Sequence, residues 1–274
     1  MRQRPTENFA ALVLQPEKND ATIPMIKWNI RTGREPLVGG FFQLWRLEST
    51  NRKGRPCEDI IRGEASMKPS YITVNFQQTA AQRFPAQADE LNAAFTARLQ
   101  ALRAENAGAS QEKQRHLENQ ILPGIAAYET LQSVMSKEET LQTVHGYVEQ
   151  KAWRMKRLLL KLMRIPGLYR RVPGIFARET PKLFGETAGF AAREIQTTGG
   201  VWRIDMTKCP YHDACVHYGC PELCHCFCDS DDITYDGMHP KLYWHRTKTL
   251  GRGGDCCDFC LKIVGSEPCA ACGR

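Results

Sequence analysis

Thiol and carboxyl groups are concentrated towards the C-terminal end of the chain. Of twelve cysteines, eleven lie after residue 208. Thiolates are strong nucleophiles and soft metal ligands, and neighbouring acids can move protons. The segment from Cys209 to Cys260 is therefore the part of the chain whose residue types could do chemistry, either as a catalytic site or as a metal-binding site.

In the catalytic interpretation, a thiolate or a metal-bound hydroxide attacks a polarised carbon atom of a substrate. A carboxylate, that of Asp231 or Asp232, activates water or protonates a leaving group. The planar guanidinium group of Arg246 or Arg252 binds an anionic substrate. These residue types predict chemistry on a small anionic molecule.

In the metal-binding interpretation, the pairs Cys257/Cys260 and Cys269/Cys272 have the spacing of zinc knuckles. The eight residues between the two pairs are few for a zinc ribbon. Zinc and an iron–sulfur cluster are both compatible with this spacing, and so is a chain with many buried, reduced cysteines. Spacing alone leaves these alternatives open.

The bulk composition narrows the class of protein. The 274 residues are 42% hydrophobic and carry a formal net charge of +7, which suits one large or two smaller globular domains. No apolar run approaches the ~20 residues of a membrane span, and we recognise no secretory signal. Because the cysteine-rich part is acidic, nucleic-acid binding is not expected. We expect a cytoplasmic protein, and a homo-oligomer is left open.

Helical periodicity dominates the middle of the chain. Apolar residues from Leu91 to Leu102 recur at helical spacing and predict a helix over residues 86–120, in which His116 is expected to face solvent. Leu122-Pro-Gly predicts a break. The Ser136-x-x-Glu139 capping box predicts the start of a helix that continues to Met163, with an apolar and a basic face. A further helix is predicted over residues 179–196.

Extended segments are predicted on both sides of this helical part. Tyr71–Phe76 and Phe41–Leu47 are rich in β-branched and aromatic residues. Strands are also predicted at residues 199–206, 241–249 and 257–264. The expected fold is α+β, in which a helical body packs on a small antiparallel sheet that carries the cysteine-rich C-terminal site.

An ordered series of short motifs resembles the L-2-amino-thiazoline-4-carboxylic acid hydrolase family. The series comprises Cys209-Pro-Tyr, Gly219, Pro221-Glu-Leu-Cys224, Phe227-Cys228-x-x-Asp231, Arg246-Thr-x-Thr-Leu and Gly253-Gly-Asp-x-Cys257-Asp258-Phe259. The resemblance covers residues 120–263 and implies a hydrolase-like domain over 120–274. Residues 1–119 are then an N-terminal extension of unknown role, expected to be partly helical.

The resemblance implies a hydrolase that opens a cyclic, amidine-like C–N/C–S heterocycle to an N-carbamoyl amino acid. Carbon C2 of such a ring is electrophilic because nitrogen and sulfur flank it, so an acid, an activated water or nucleophile and a cation would suffice. The implied site consists of four cysteines, two acid–base candidates and one anion anchor, which are Cys209, Cys224, Cys228, Cys257, Asp231, Asp258 and Arg246.

The same four cysteines could instead hold one metal ion or cluster. The alternative function is therefore a zinc- or iron–sulfur-binding protein with a redox or structural role. The cysteines beyond the family's pattern favour this alternative, and the sequence alone does not separate the two roles.

Overall fold

The computed structural model describes residues 69–266. Predictions made for Phe41–Leu47, Cys57, Cys269 and Cys272 lie outside these residues. The described part begins with helices α1 (Tyr71–Arg83), α2 (Ala88–Glu105), α3 (Gln111–His116), α4 (Leu122–Leu131), α5 (Lys137–Leu162) and α6 (Val172–Leu183). No helix among residues 69–266 is both long and apolar enough to cross a membrane.

Helix α1 corrects the prediction that Tyr71–Phe76 is extended. The hydroxyl of Ser70 caps the helix by accepting a hydrogen bond from the backbone N–H of Thr73, at 3.1 Å. Ile72, Phe76 and Ala80 recur at intervals of four residues and are fully buried. Burial of this helical face outweighs the weak β preference of the side chains.

The predicted helix over residues 86–120 is divided into α2 and α3 by a turn around Gly108. The predicted break at Leu122-Pro-Gly is wrong, because a π-helical turn (Leu117–Ile121) leads directly into α4. Proline is tolerated in the first turn of a helix because its missing N–H would have no partner there. A Cβ atom at position 124 would lie 2.6 Å from Cζ of Phe227, so glycine allows close packing.

Helix α5 confirms the capping-box prediction. The hydroxyl of Ser136 accepts a hydrogen bond from the backbone N–H of Glu139, and the Glu139 carboxylate accepts one from the backbone N–H of Ser136. One face of α5 is buried against the rest of the protein, at Val144, Tyr147 and Val148 among others. The apolar face is thus part of the protein core.

The helix predicted over residues 179–196 is wrong for most of its length. Helix α6 ends at Leu183, and residues 191–196 form strand β1. Gly185 lies where an added Cβ atom would be 2.3 Å from the carbonyl oxygen of Pro181, and Gly189 has φ +86°. Both positions favour glycine, and they turn the chain out of the helix.

The C-terminal part forms an antiparallel sheet with strand order β1-β2-β4-β3. In chain order, the elements of this C-terminal part are β1 (Ala191–Gln196), β2 (Val201–Lys208), α7 (Pro210–His217), α8 (Cys224–Tyr235), β3 (Leu242–His245) and β4 (Cys257–Ile263). Strands β2, β3 and β4 lie where the sequence predicts them. The α+β prediction is therefore confirmed.

Two hydrophobic cores lie beneath these elements. The first contains the stacked rings of Phe76 and Phe95, with centroids 4.3 Å apart, and residues of α1, α2, α4, α5 and α8. The second packs Trp202 and Trp244 of the sheet against Phe176 of α6 and against α5. Helices on both sides of residue 120 contribute to the first core, and the proposed domain division stays a prediction.

Candidate active site

A cavity of about 180 Å³ lies between the helices and the sheet. Side chains of α1, α5, α6, α8 and the sheet line it, and most of them are apolar or aromatic. Five of the seven site residues expected from the sequence are among its lining residues, and these are Cys209, Cys228, Asp231, Arg246 and Cys257. Residues separated by up to 48 positions in the chain therefore meet at one cavity.

These side chains come from α8 and from residues at the ends of strands. Cys209 follows β2 and is the N-cap residue of α7. Cys224, Cys228 and Asp231 lie on α8 at intervals of four and three residues, so they share one face of the helix. Cys257 begins β4 and pairs with Met206 of β2.

Asp231 is the acidic residue among the described residues that line the cavity. Its side chain keeps 38% of its surface accessible, and it lines the cavity. Burial raises the pKa of Asp231 to about 6; the cationic Arg246 opposes this shift and the carboxylate of Asp232 adds to it. A carboxyl group with this pKa can accept and return a proton near neutral pH.

Arg246 is almost fully buried beside Asp231, with 3% of its side chain accessible. Its guanidinium donates to a carboxylate oxygen of Asp232 at 2.5 Å and to the backbone carbonyl of Cys228 at 2.9 Å. It lies 3.4 Å from a carboxylate oxygen of Asp231 and stacks over the ring of Phe259, with its Cζ 5.3 Å from the ring centroid. These contacts fix the guanidinium against α8.

The three thiols that line the cavity are held in their neutral form. Burial raises the pKa of Cys209 well above its ordinary value, although the backbone N–H groups of Tyr211 and His212 act in the opposite direction. A hydrogen bond with the Cys224 thiol, whose sulfur lies 4.0 Å away, and burial together raise the pKa of Cys228. Burial raises the pKa of Cys257 to about 12.

The other two expected site residues support the cavity from behind its lining. Cys224 is 1% exposed and packs against Gly251, where an added Cβ atom would lie 2.8 Å from the Cys224 sulfur. Asp258 accepts hydrogen bonds from the backbone N–H groups of Thr247 and Lys248, both at 2.8 Å. Burial would raise the pKa of Asp258, but the hydrogen bonds from Thr247 and Lys248 outweigh burial and lower it.

The cysteines do not form a metal-binding cluster in the described part of the chain. Among residues 69–266, no group of three or more histidine, cysteine or acidic side chains is arranged to hold a metal ion. The second expected knuckle pair, Cys269/Cys272, lies outside these residues. Zinc or an iron–sulfur cluster on Cys209, Cys224, Cys228 and Cys257 stays a prediction, and no reaction step is assigned to it.

His116 corrects a prediction of solvent exposure. Its side chain lies against Phe184, Phe190 and Tyr211, and the residue is 4% exposed. Burial lowers the pKa of His116, so its ring is neutral. Nε2 lies 2.9 Å from the carbonyl oxygen of Leu183 and therefore carries the proton, which leaves Nδ1 to accept from the Tyr211 hydroxyl at 3.2 Å.

Sequence reasoning missed the part of the cavity formed by α1 and α5. Tyr71 and Lys151 line it there. The sequence pattern predicts that Tyr71 lies in an extended segment. Lys151 lies three residues after Val148 and four before Met155, which also line the cavity, so this lysine lies on the inward face of an amphipathic helix. A cation at an inward position is the signal that could have identified it.

A known protein family matches the part of the chain that contains the expected site residues. The sequence model of the L-2-amino-thiazoline-4-carboxylic acid hydrolase family matches residues 114–261, which is more than half of the chain. The chain belongs to this family. The match includes every expected site residue and leaves out α1 and α2. No curated protein and no solved structure matches the chain.

Proposed function

We propose that this member of the hydrolase family opens a small 2-aminothiazoline-4-carboxylate-type ring and releases an N-carbamoyl amino acid. The observation that carries the proposal is the Asp231 carboxylate, held beside Arg246 in the wall of a cavity between the helices and the sheet. Perturbed carboxylates in such cavities are typical of acid–base catalysts. The family name supports hydrolysis, and the choice of ring and bond is ours.

The reaction balances with water as the only co-reactant. The substrate binds with its amidine protonated. Water then adds to C2 while one of its protons passes to the Asp231 carboxylate. The C2–S bond breaks, and its electron pair goes to sulfur, which takes the proton from Asp231. The hydroxyl on C2 loses its proton to solvent as the carbonyl forms, and this leaves a urea and a free thiol.

Water activated by Asp231 fits the cavity better than a cysteine nucleophile. A thiol attacks as its thiolate, and the raised pKa values of Cys209, Cys228 and Cys257 keep these groups protonated near neutral pH. At pH 7 most of a carboxyl group with pKa about 6 is ionised and can accept a proton. The cysteines then serve as neutral cavity walls.

The family resemblance implies that Arg246 binds the substrate's carboxylate. We propose instead that it is a positioning residue for Asp231, because its guanidinium is already bound to Asp232 and to the Cys228 carbonyl. A cation fixed in this way also stabilises the ionised form of Asp231. The substrate remains anionic in this proposal, and its carboxylate needs another partner.

The test is to incubate the purified protein with 2-amino-thiazoline-4-carboxylate and to follow free thiol and product mass. We expect a thiol-bearing N-carbamoyl product, and Asp231→Asn should lower kcat by about 10²- to 10⁴-fold. The matched control is Asp236→Asn, which changes an exposed carboxylate just after α8 and should keep wild-type turnover. Absence of any ring-opened product, or full turnover by Asp231→Asn, would overturn the proposal.

A further inference from the structure

The cavity has a second polar region, formed by side chains of α1 and α5. Tyr71 begins α1, and Lys151 lies in the middle of α5. Both line the cavity, and the ammonium nitrogen of Lys151 lies 4.7 Å from the centroid of the Tyr71 ring. The two helices therefore bring one cation and one hydroxyl group to the same part of the wall.

The hydroxyl of Tyr71 is a polar group whose hydrogen bonding needs an explanation. It is buried, and among residues 69–266 no group makes a hydrogen bond with it. Buried polar groups in folded proteins are nearly always hydrogen-bonded, and one that is not needs an explanation. A ligand oxygen in the cavity would accept this hydrogen bond.

Two other polar side chains of the cavity, Tyr211 and Arg246, are bonded to groups other than Tyr71. The hydroxyl of Tyr211, the nearby tyrosine, donates to Nδ1 of His116 at 3.2 Å. Arg246 is bound to Asp232 and to the carbonyl of Cys228. The Tyr71 hydroxyl thus has no hydrogen-bond partner among the described residues, whereas the guanidinium of Arg246 is held against α8.

The surroundings of Lys151 favour an anionic ligand. Val148, Ala152, Met155 and Phe184 line the cavity with it. Ion pairing is stronger in such a low-dielectric environment than in water. A carboxylate that enters the cavity can pair with the ammonium group and accept from the Tyr71 hydroxyl at the same time.

We propose that Lys151 and Tyr71 form the anion site of the cavity and hold the carboxylate of the substrate. The proposal rests on the proposed function for the identity of the ring, but it assigns the carboxylate to a different part of the cavity from the reacting carbon. Tyr71 lies outside the family match, so α1, which precedes the match, contributes directly to substrate recognition.

The experiment compares 2-amino-thiazoline-4-carboxylate with 2-aminothiazoline, which lacks the carboxylate. The measured quantity is the ratio of kcat/KM for the two compounds. We expect Lys151→Gln to lower this ratio by about 10- to 100-fold, mainly through a higher KM for the carboxylate compound. Tyr71→Phe should lower it by about three- to tenfold, and Lys151→Arg should restore part of the loss.

The matched control is Lys161→Gln, which removes the same charge from an exposed position near the end of α5. Its ratio should equal that of the wild type. An unchanged ratio in Lys151→Gln would overturn the proposal. A ratio that falls as far in Arg246→Lys as in Lys151→Gln, with Tyr71→Phe unchanged, would also overturn it and place the carboxylate beside Arg246.

Binding measurements separate this proposal from the proposed function. If the wild type turns over neither compound, affinities are measured by quenching of Trp202 and Trp244, which line the cavity. Tighter binding of the carboxylate compound, lost in Lys151→Gln, would support the anion site without the ring-opening reaction. Equal affinity of the wild type for both compounds would overturn the anion site.

Discussion

Asp231 and Asp258 are the two acid–base candidates of the family pattern, and their surroundings differ in kind. Asp231 lines the cavity, and its closest contact with Arg246 is 3.4 Å long. Asp258 is 8% exposed and receives hydrogen bonds from two backbone N–H groups and from the hydroxyl of Thr247. The pKa of Asp231 is raised, whereas that of Asp258 is lowered.

This difference shows how hydrogen bonding divides two similar carboxylates between two roles. Donors that surround Asp258 stabilise its ionised form and hold the chain that leads from β3 towards β4. Among residues 69–266, Asp231 has no such set of donors, and its proton is therefore available for exchange. We propose that Asp258 supports the position of Arg246, which directly precedes Thr247, and that Asp231 carries the proton.

The largest expected effect on stability is that of Asp258→Ala. The same substitution at Asp231 provides the comparison. Asp258→Ala should lower the free energy of unfolding by about 3 kcal/mol, because two backbone N–H groups and one hydroxyl lose a charged acceptor. Asp231→Ala should change it by less than about 1 kcal/mol, since its side chain is partly solvated and weakly bonded. Urea unfolding measures both values.

Equal losses of stability in the two alanine variants would contradict the proposal that Asp258 supports the structure and Asp231 carries the proton. Turnover provides the complementary measurement. Asp231→Ala should remain folded while its turnover is lost, and Asp258→Ala should retain measurable turnover at temperatures at which it is still folded. The reverse pattern would make Asp258 the acid–base residue.

A smaller effect concerns the pH dependence of stability. The pKa of Asp231 is raised to about 6 in the fold, so its contribution favours the folded state at low pH and declines as pH rises from about 4 to 6. Each unit of pKa shift corresponds to about 1.4 kcal/mol before solvent screening, which reduces the value for a side chain exposed by a third. Asp231→Asn should therefore gain stability relative to wild type across this interval.

Asp258 should show the opposite sign. Its folded pKa is lowered, so its stabilising contribution is present above the unfolded pKa of about 4 and is lost as pH falls below it. Asp258→Asn should therefore resemble the wild type most closely in acid and fall behind as pH rises. Urea unfolding of both variants between pH 3 and 8 checks the two signs, and parallel curves would contradict the comparison.

The smallest expected effect is that of chelation. The proposed reaction uses the Asp231 carboxylate and water, so a chelator should leave both the melting temperature and the turnover of anaerobically purified protein unchanged. A fall in melting temperature, with zinc or iron found by elemental analysis, would make the cysteines near Asp231 metal ligands. Water activation would then shift from the carboxylate to the metal.

Sequence patterns predicted the fold best where local signals agree with burial. The capping box at Ser136 and the periodicity of Leu91 and Phe95 located α5 and α2, since caps and amphipathic faces are local properties. The prediction that Tyr71–Phe76 is extended is wrong because its β-branched residues suggest a strand, whereas packing on Phe95 and on α4 makes it helical. The helix predicted over residues 179–196 failed because two glycines with positional requirements divide it.

By itself, the sequence determined the family, the helical body with its small sheet and a list of candidate site residues, because motif spacing and hydrophobic periodicity can be read along the chain. Only the tertiary structure decided which of those residues line the cavity and which lie behind it. It also decided that Lys151 of α5 and Tyr71 of α1 line the same cavity. The physical reason is that burial and hydrogen-bond partners, which set the charge of Asp231 and Asp258, come from segments far apart in sequence.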